Sequence, residues 1–277
     1  VALSVEFTKT TPLIPQANFI QWTLKGVAPQ GDYWFDLYRS GSMHGPWEPV
    51  ASKLKNVYCY VDKFPQPATT DPTTFLRPNH LAVTRNFFYR LTAVCTTGES
   101  AEDVTELTPT LAPKQKQLLR KLIHDEYIQL RKYTGVPVAV LKRKQWGARC
   151  VKCVDKITKE ILRAHCTDCW GTGFLGGYWN PILTYARRAP LQTNIQVAPE
   201  NKVESTTARF MMLNIPRVEQ SDVVVFLSDG RRFVVDQQSE TSLRTVAVHQ
   251  TVFALELPRS HIIYRFPVDE TTVPPLM

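Results

Sequence analysis

Four of the six cysteines in this chain fall within one short stretch, CVKCVDKITKEILRAHCTDC, from Cys150 to Cys169. They form two C-x-x-C pairs, Cys150/Cys153 and Cys166/Cys169, separated by twelve residues. In each pair a tight turn can aim two thiolates at one point, with backbone N–H groups turned toward the sulfurs. Two such knuckles supply four sulfurs, and Zn²⁺ accepts four in a tetrahedron. The spacing therefore predicts a structural Zn²⁺ held by Cys150, Cys153, Cys166 and Cys169. Four thiolates leave no coordination position for a water, which argues against metal-dependent hydrolysis. A redox C-x-x-C ordinarily stands alone on a thioredoxin-like βα unit, which the flanking sequence does not spell. Iron–sulfur clusters use four cysteines at other spacings. His165 precedes Cys166 and reads as a surface or neighbouring residue rather than a ligand.

The same stretch is basic. Residues 109–190 carry sixteen Lys/Arg against five Asp/Glu; residues 1–108 carry nine against ten, and residues 191–277 eight against ten. The basic excess behind the formal charge of +8 thus sits in the middle third. Lys142, Arg143, Lys144, Arg149, Lys152 and Lys156 gather around the first cysteine pair, interleaved with Trp146, Trp170 and Phe174. Aromatics can stack bases while cations hold phosphates, so these six are candidate contacts for DNA, RNA or an acidic protein surface. The competing reading has the aromatics covering a small metal core and the cations solvating its faces.

No other catalytic pattern stands out. There is no P-loop, dinucleotide glycine motif, G-x-S-x-G or H-E-x-x-H. The six histidines are scattered. The expectation is a protein that is not an enzyme and takes no small-molecule substrate. No apolar run approaches the ~18 residues that span a bilayer, and no secretory leader is visible, so synthesis in a cytoplasm is expected. Cysteines clustered at ligand spacing fit a reducing compartment better than a disulfide framework. Cys59 and Cys95 read as buried thiols.

The elements that must carry these residues follow from periodicity. Residues 1–108 alternate in the manner of strands: VEFTKT, NFIQWTL, YWFDLYRS, NVYCYVD and NFFYRLTAV. Turn residues separate them, at Ala28-Pro29-Gln30-Gly31, Gly41 and Gly45-Pro46, and FPQPATTDPTTFLRP reads as a long surface loop. The spacing suits a seven-strand sandwich. Residues 113–133 read as a helix. Pro113 suits its first turn, and Gly135 and Pro137 end it. Leu119, Leu122, Ile123, Tyr127 and Leu130 fall on one face, with Lys116, Arg120, Lys121 and Arg131 mostly elsewhere. A short apolar strand, VPVAVL, leads into the basic run. Residues 181–208 read as an extended linker or arm. Residues 209–277 return to strands as a small β-barrel, with a hairpin DVVVFL–SDG–RRFVVD around an Asp-Gly turn. The chain is therefore expected to be mainly β and multidomain: a sandwich (1–108), a helix plus four-cysteine zinc module (109–180), an arm (181–208) and a barrel (209–277).

Three resemblances add to this reading. Trp22 on an early strand, YWFDLYRSGSMHGPWEPV, and Tyr89 in YRLTAV resemble a fibronectin type III domain, which implies a core Trp22 and a corner Tyr89. Cys166-x2-Cys169-x-Gly171-x-Gly173 resembles the cysteine-rich repeat of J-protein co-chaperones, which implies a shared knuckle geometry. The chain as a whole resembles the virion structural proteins of tailed bacteriophages. The fibronectin-like module, the segment KRKQWGARCVKC…CTDCWGTGFLGGYWNP and the C-terminal barrel, similar to head-closure and neck proteins, carry that likeness. It implies a homo-oligomeric ring subunit of the neck or head–tail connector, around the DNA channel. Its partners would be portal, adaptor, tail or neck proteins and further copies of itself, with DNA contact through the basic region and no membrane. Its location would be the virion. The alternatives are a nucleic-acid-binding zinc protein, a baseplate or other tail component, or an assembly factor.

Overall fold

The computed structural model describes residues 3–13, 17–25, 31–63, 87–106, 111–155, 158, 160–162, 165–189, 192–197, 202–244 and 246–268. The chain is mainly β, with fourteen strands and one α-helix among the described residues. It divides into two compact units, Val1–His124 and Asp125–Met277.

The first unit holds β1 (Ser4–Leu13), β2 (Ala17–Lys25), β3 (Tyr33–Ser40), β4 (Glu48–Lys55), β5 (Cys59–Lys63), β6 (Phe88–Cys95) and β7 (Ser100–Glu106). They form a three-stranded sheet, β1-β2-β5, and a four-stranded sheet, β4-β3-β6-β7. Strand β3 shows the alternation that drives this: Tyr33, Phe35 and Leu37 are buried, while Trp34, Asp36 and Tyr38 are half-buried. Trp22 of the first sheet meets Phe35 of the second, with ring centroids 5.4 Å apart. A polar chain also crosses the core. Asn18 Nδ2 donates to the Tyr89 hydroxyl (2.6 Å), which donates to Asp62 Oδ2 (2.8 Å), and Arg39 grips the same carboxylate at 2.9 and 3.1 Å. Tyr89→Phe breaks both hydroxyl bonds in a buried setting. The expected loss is about 1–3 kcal/mol, read from the urea midpoint of unfolding. The loop FPQPATTDPTTFLRP and the turn at 28–30 lie outside the described residues.

The helix α1 (Pro113–Gln129) runs into a wider π-turn, Leu130–Thr134, closed by Gly135 N–H to Leu130 O at 2.8 Å. A Cβ on Gly135 would sit 2.5 Å from that carbonyl, so glycine is required there. Leu119, Ile123, Tyr127 and Leu130 are buried as the periodicity predicts. Two expectations fail. Leu122 is 38% exposed, whereas Lys116 and Arg120 are buried. The buried stripe runs through 116, 119, 120, 123 and 127, and a long cationic side chain can lie on such a stripe by its methylenes while its head finds a partner. Lys116 Nζ reaches Glu106 Oε1 at 3.5 Å.

The second unit holds β8 (Val136–Leu141), β9 (Ile182–Arg188), β10 (Gln192–Val197), β11 (Lys202–Leu213), β12 (Val223–Phe226), β13 (Arg232–Leu243) and β14 (Val246–Glu256). Six of them close a barrel in the order β11-β14-β13-β12-β8-β9, with β9 returning to β11. The barrel therefore begins at Val136, not at residue 209. The expected linker at 181–208 is largely strand. The end of β9 and β10 both pair along one side of β11, as nearly one interrupted strand. The expected Asp-Gly hairpin is present: Gly230, at φ +68°, donates to Phe226 O at 2.8 Å.

Val138, Val140, Phe210, Met212, Val224, Phe226, Phe233 and Val235 fill the barrel interior, with Phe226 edge-on to both Phe210 and Phe233. A second cluster lies over Ala139, Leu141, Val223 and Val225, covered by Ile262 and Ile263 of a short 3-10 helix (Ile262–Arg265) and by Tyr178. Arg232 holds this cover down, donating to Ile263 O and, at 2.9 Å, to Phe266 O.

Candidate metal centre

The cysteine segment is an insertion in the barrel, not a free-standing module. Strands β8 and β9 pair as a hairpin, Val136↔Ala186 through Val140↔Ile182, and everything between them loops out. The two legs of the loop stay together as they leave. Trp179 N–H donates to Lys142 O (2.9 Å), Lys144 N–H to Gly177 O (3.0 Å) and Cys150 N–H to Gly173 O (2.9 Å). Trp146 and Trp179 pack with centroids 4.3 Å apart, and Arg149 covers Phe174 at 4.1 Å. This ladder carries the first knuckle to the second.

There the four cysteines converge. Their Sγ atoms all lie within 4.8 Å of one another, with Cys150–Cys166 at 3.7 Å and Cys153–Cys169 at 3.0 Å. A tetrahedral ion with ~2.3 Å bonds to sulfur needs S···S edges of about 3.8 Å, so the set fits a four-thiolate metal with small adjustments. Cys150, Cys153 and Cys169 are buried and Cys166 is half-buried. The backbone is bent to serve the sulfurs. N–H groups of Asp168 and Cys169 donate to Cys166, and those of Gly171 and Gly173 to Cys169. Burial raises the Cys166 thiol, yet these donors outweigh it and bring the group to about 7. Burial instead pushes Cys153 and Cys169 up. Gly173 and Gly177 have positive φ, and a Cβ on Gly177 would meet Cys169 O at 2.6 Å. These cysteines can hold a metal ion.

The lobe is fastened to the barrel by aromatics. Trp170, directly after Cys169, meets Phe266 edge-on at 5.3 Å, and Tyr178 meets the same ring at 5.7 Å. A buried ion cluster anchors its root. Lys142 Nζ lies 2.8 Å from Glu219 and 3.2 Å from Asp222, while Asp222 accepts from the N–H groups of Arg143 (2.8 Å) and Glu219 (2.7 Å).

Those contacts revise the candidate basic surface. Lys142 is buried and doubly paired, which removes it from any external partner. Lys144 donates to Leu175 O at 2.8 Å and sits 5.0 Å over Trp179. Lys152 is exposed but bonded to Asp168 at 2.6 Å. Arg143 and Arg149 are half-buried, and Lys156 lies outside the described residues. Of the six, Lys142 and Lys152 are thus neutralised by acidic partners, Lys142 by Glu219 and Asp222 and Lys152 by Asp168. Sequence reasoning missed Glu219 and Asp222, which sit in a loop far along the chain, and Phe266.

No family model matches this chain. No curated protein matches it either. Among solved structures, pectate lyase Pel3 from Pectobacterium carotovorum is similar over 40% of this chain and 28% of its own length, at 15% identity and a TM-score of 0.25. At that level the likeness carries no weight for fold or activity.

Proposed function

We propose that the chain is a non-enzymatic structural subunit of a tailed phage particle, forming a ring at the neck or head–tail connector, with Zn²⁺ in the four-cysteine site. The observation that supports this best is the barrel's build. Its interior is filled by apolar side chains, and its elaborations are outward: the four-cysteine lobe between β8 and β9 and long hairpins. Residues 202–206 of β11 run past the end of β14, and β13 from Val235 onward runs past β12 at the opposite end. Such a body offers surfaces to neighbours. The seven-strand, two-sheet first unit, with buried Trp22 and Tyr89, is consistent with the fibronectin-like decoration read from the sequence. Zinc is the metal that four thiolates in a closed, partly buried set suit best.

The test is composition. Purified particles should contain the chain as a stoichiometric component, seen by mass spectrometry and as a collar of density. The isolated chain should carry one zinc per copy by elemental analysis. Absence from particles removes the virion reading, and a metal-free chain purified without chelator removes the zinc reading. The nucleic-acid reading keeps Arg143 and Arg149 but loses Lys142, so it stands second. It requires DNA affinity that falls steeply with salt.

A further inference from the structure

We propose that the folded chain cross-links itself: an isopeptide bond forms between Lys142 Nζ and the Asp222 carboxyl, with Glu219 relaying the protons. The fold places the reactants face to face. Leu141 of β8 pairs with Val223 of β12, so Lys142 and Asp222 continue that ladder by one step, on opposed positions. Lys142 Nζ lies 3.2 Å from Asp222 Oδ2 and 2.8 Å from Glu219 Oε2. Lys142 is 6% exposed and Asp222 1% exposed. Nucleophile and carboxyl are thus held at contact distance in a setting that shuts out most competing water.

The carboxyl has the surroundings of an acyl-transfer site. Arg143 N–H donates to Asp222 Oδ1 at 2.8 Å, and Glu219 N–H donates to Oδ2 at 2.7 Å. Two backbone donors polarise the carboxyl carbon, and the first holds the negative charge that builds on Oδ1 when a nucleophile adds. A carboxylate repels a nucleophile, whereas a carboxylic acid accepts one. Burial raises the proton affinity of Asp222, to about 6, which brings the acid form within reach near neutrality. Glu219 is placed for the proton traffic. Its carboxylate touches Nζ, is half-buried, and is steadied by Gln145 Nε2 at 3.3 Å. A plain ion pair needs one carboxylate per lysine; here two meet one ammonium.

The step balances without a further reagent. In the ion pair Nζ carries three protons and both carboxylates are charged. Glu219 takes one proton from Nζ and passes it to Asp222 Oδ2, which frees the nitrogen lone pair and makes the acid. Nζ adds to Asp222 Cγ, giving a tetrahedral carbon with its charge on Oδ1. Glu219 then carries a second proton from the nitrogen to Oδ2. The Cγ–Oδ2 bond breaks, Oδ2 leaves as water, and the amide nitrogen keeps the third proton. Glu219 ends as it began. Moving the first proton off the ammonium is uphill, so the freshly folded chain holds the ion pair and the amide accumulates with time. Once made, it ties the end of β8 to the loop before β12, at the root of the cysteine lobe.

The test uses the full chain with zinc, kept folded at physiological temperature and neutral pH and sampled over days. Intact mass should fall by one water. A tryptic map should show a branched peptide in which Lys142 is joined to Asp222 and no longer marks a cleavage site. Glu219→Gln should slow the loss by roughly a hundredfold. Lys142→Arg should abolish it. Asp222→Asn should give the same branched peptide with loss of ammonia in place of water, an outcome that a purely structural role for the three side chains does not produce. Wild type that keeps its full mass overturns the proposal. So does an unchanged rate in Glu219→Gln, or water lost equally by Lys142→Arg, which would place the reaction elsewhere, as in ring closure at Asp229-Gly230. Circular dichroism and bound zinc check the fold of each variant, and the wild-type map reads the bond without any variant. The bond belongs to the barrel alone, so its presence or absence leaves the virion reading untouched.

Discussion

Cys166→Ser is expected to release the lobe from about Arg143 to Tyr178 while β8 and β9 stay in the barrel. A structural zinc contributes roughly 10–16 kcal/mol of apparent folding energy to small zinc domains, and losing one of four ligands forfeits most of that. The lobe falls just short of the ~40 residues below which a segment seldom folds without a staple. Its apolar content cannot take over, since Val151, Ile161, Leu162 and Leu175 already face solvent. Its ends are held by different forces. The β8–β9 ladder and the Lys142 cluster do not involve the metal. Release should still reach the barrel, because Trp170 and Tyr178 both pack on Phe266, whose backbone Arg232 grips. Limited proteolysis with mass spectrometry should show cleavage appearing within 143–178, red-shifted tryptophan emission, loss of the bound metal and a lower melting temperature. The unit Val1–His124 should melt unchanged. Chelation of wild type should reproduce all of this. Full protease resistance of the lobe in the variant, with metal retained, would sink the metal-staple account.

What the sequence makes legible is whatever is local. Two C-x-x-C pairs announce a four-sulfur set because a knuckle is a short-range turn, and the structure brings those four atoms together. Strand alternation in YWFDLYRS and the Asp-Gly hairpin are likewise short-range signals, and both appear. The pairing of VPVAVL with ILTYARR is another matter. Forty residues separate the two strands, and nothing in either names its partner, so periodicity alone starts the barrel far too late. The polar 181–208 segment reads as a linker because an edge hairpin that leaves the barrel needs no apolar run. Lys142 misleads for a related reason. A lysine beside two other cations reads as solvated, and only the fold brings Glu219 and Asp222 against it. The same holds for Lys116 and Arg120, whose burial depends on which helix face the fold covers.

Lys142→Ala should cost about 3–5 kcal/mol near neutral pH, because it leaves a buried carboxylate without its cation. The size of that cost should depend on pH in a defined direction. Burial pushes Asp222 up to about 6, against the pull of Lys142 and the N–H groups of Arg143 and Glu219. The unfolded value is near ~3.9, so the folded protein holds this proton more readily. The stabilisation that proton brings is complete below about pH 4 and is lost as pH rises through about 6, a loss on the order of 3 kcal/mol. Asp222→Asn removes this dependence, so wild type should decline relative to that variant between about pH 4 and 6, and run parallel above. In Lys142→Ala the lowering influence of the ammonium is gone, which moves the folded Asp222 value further up. The penalty of that variant should therefore be largest at neutral pH and shrink in acid, where a protonated Asp222 no longer needs a counter-charge. Urea unfolding of wild type and both variants at about pH 5.5 and 7.5 measures it. A Lys142→Ala penalty that is equal at the two pH values, or greater in acid, would mean that Asp222 is not the group the lysine holds ionised.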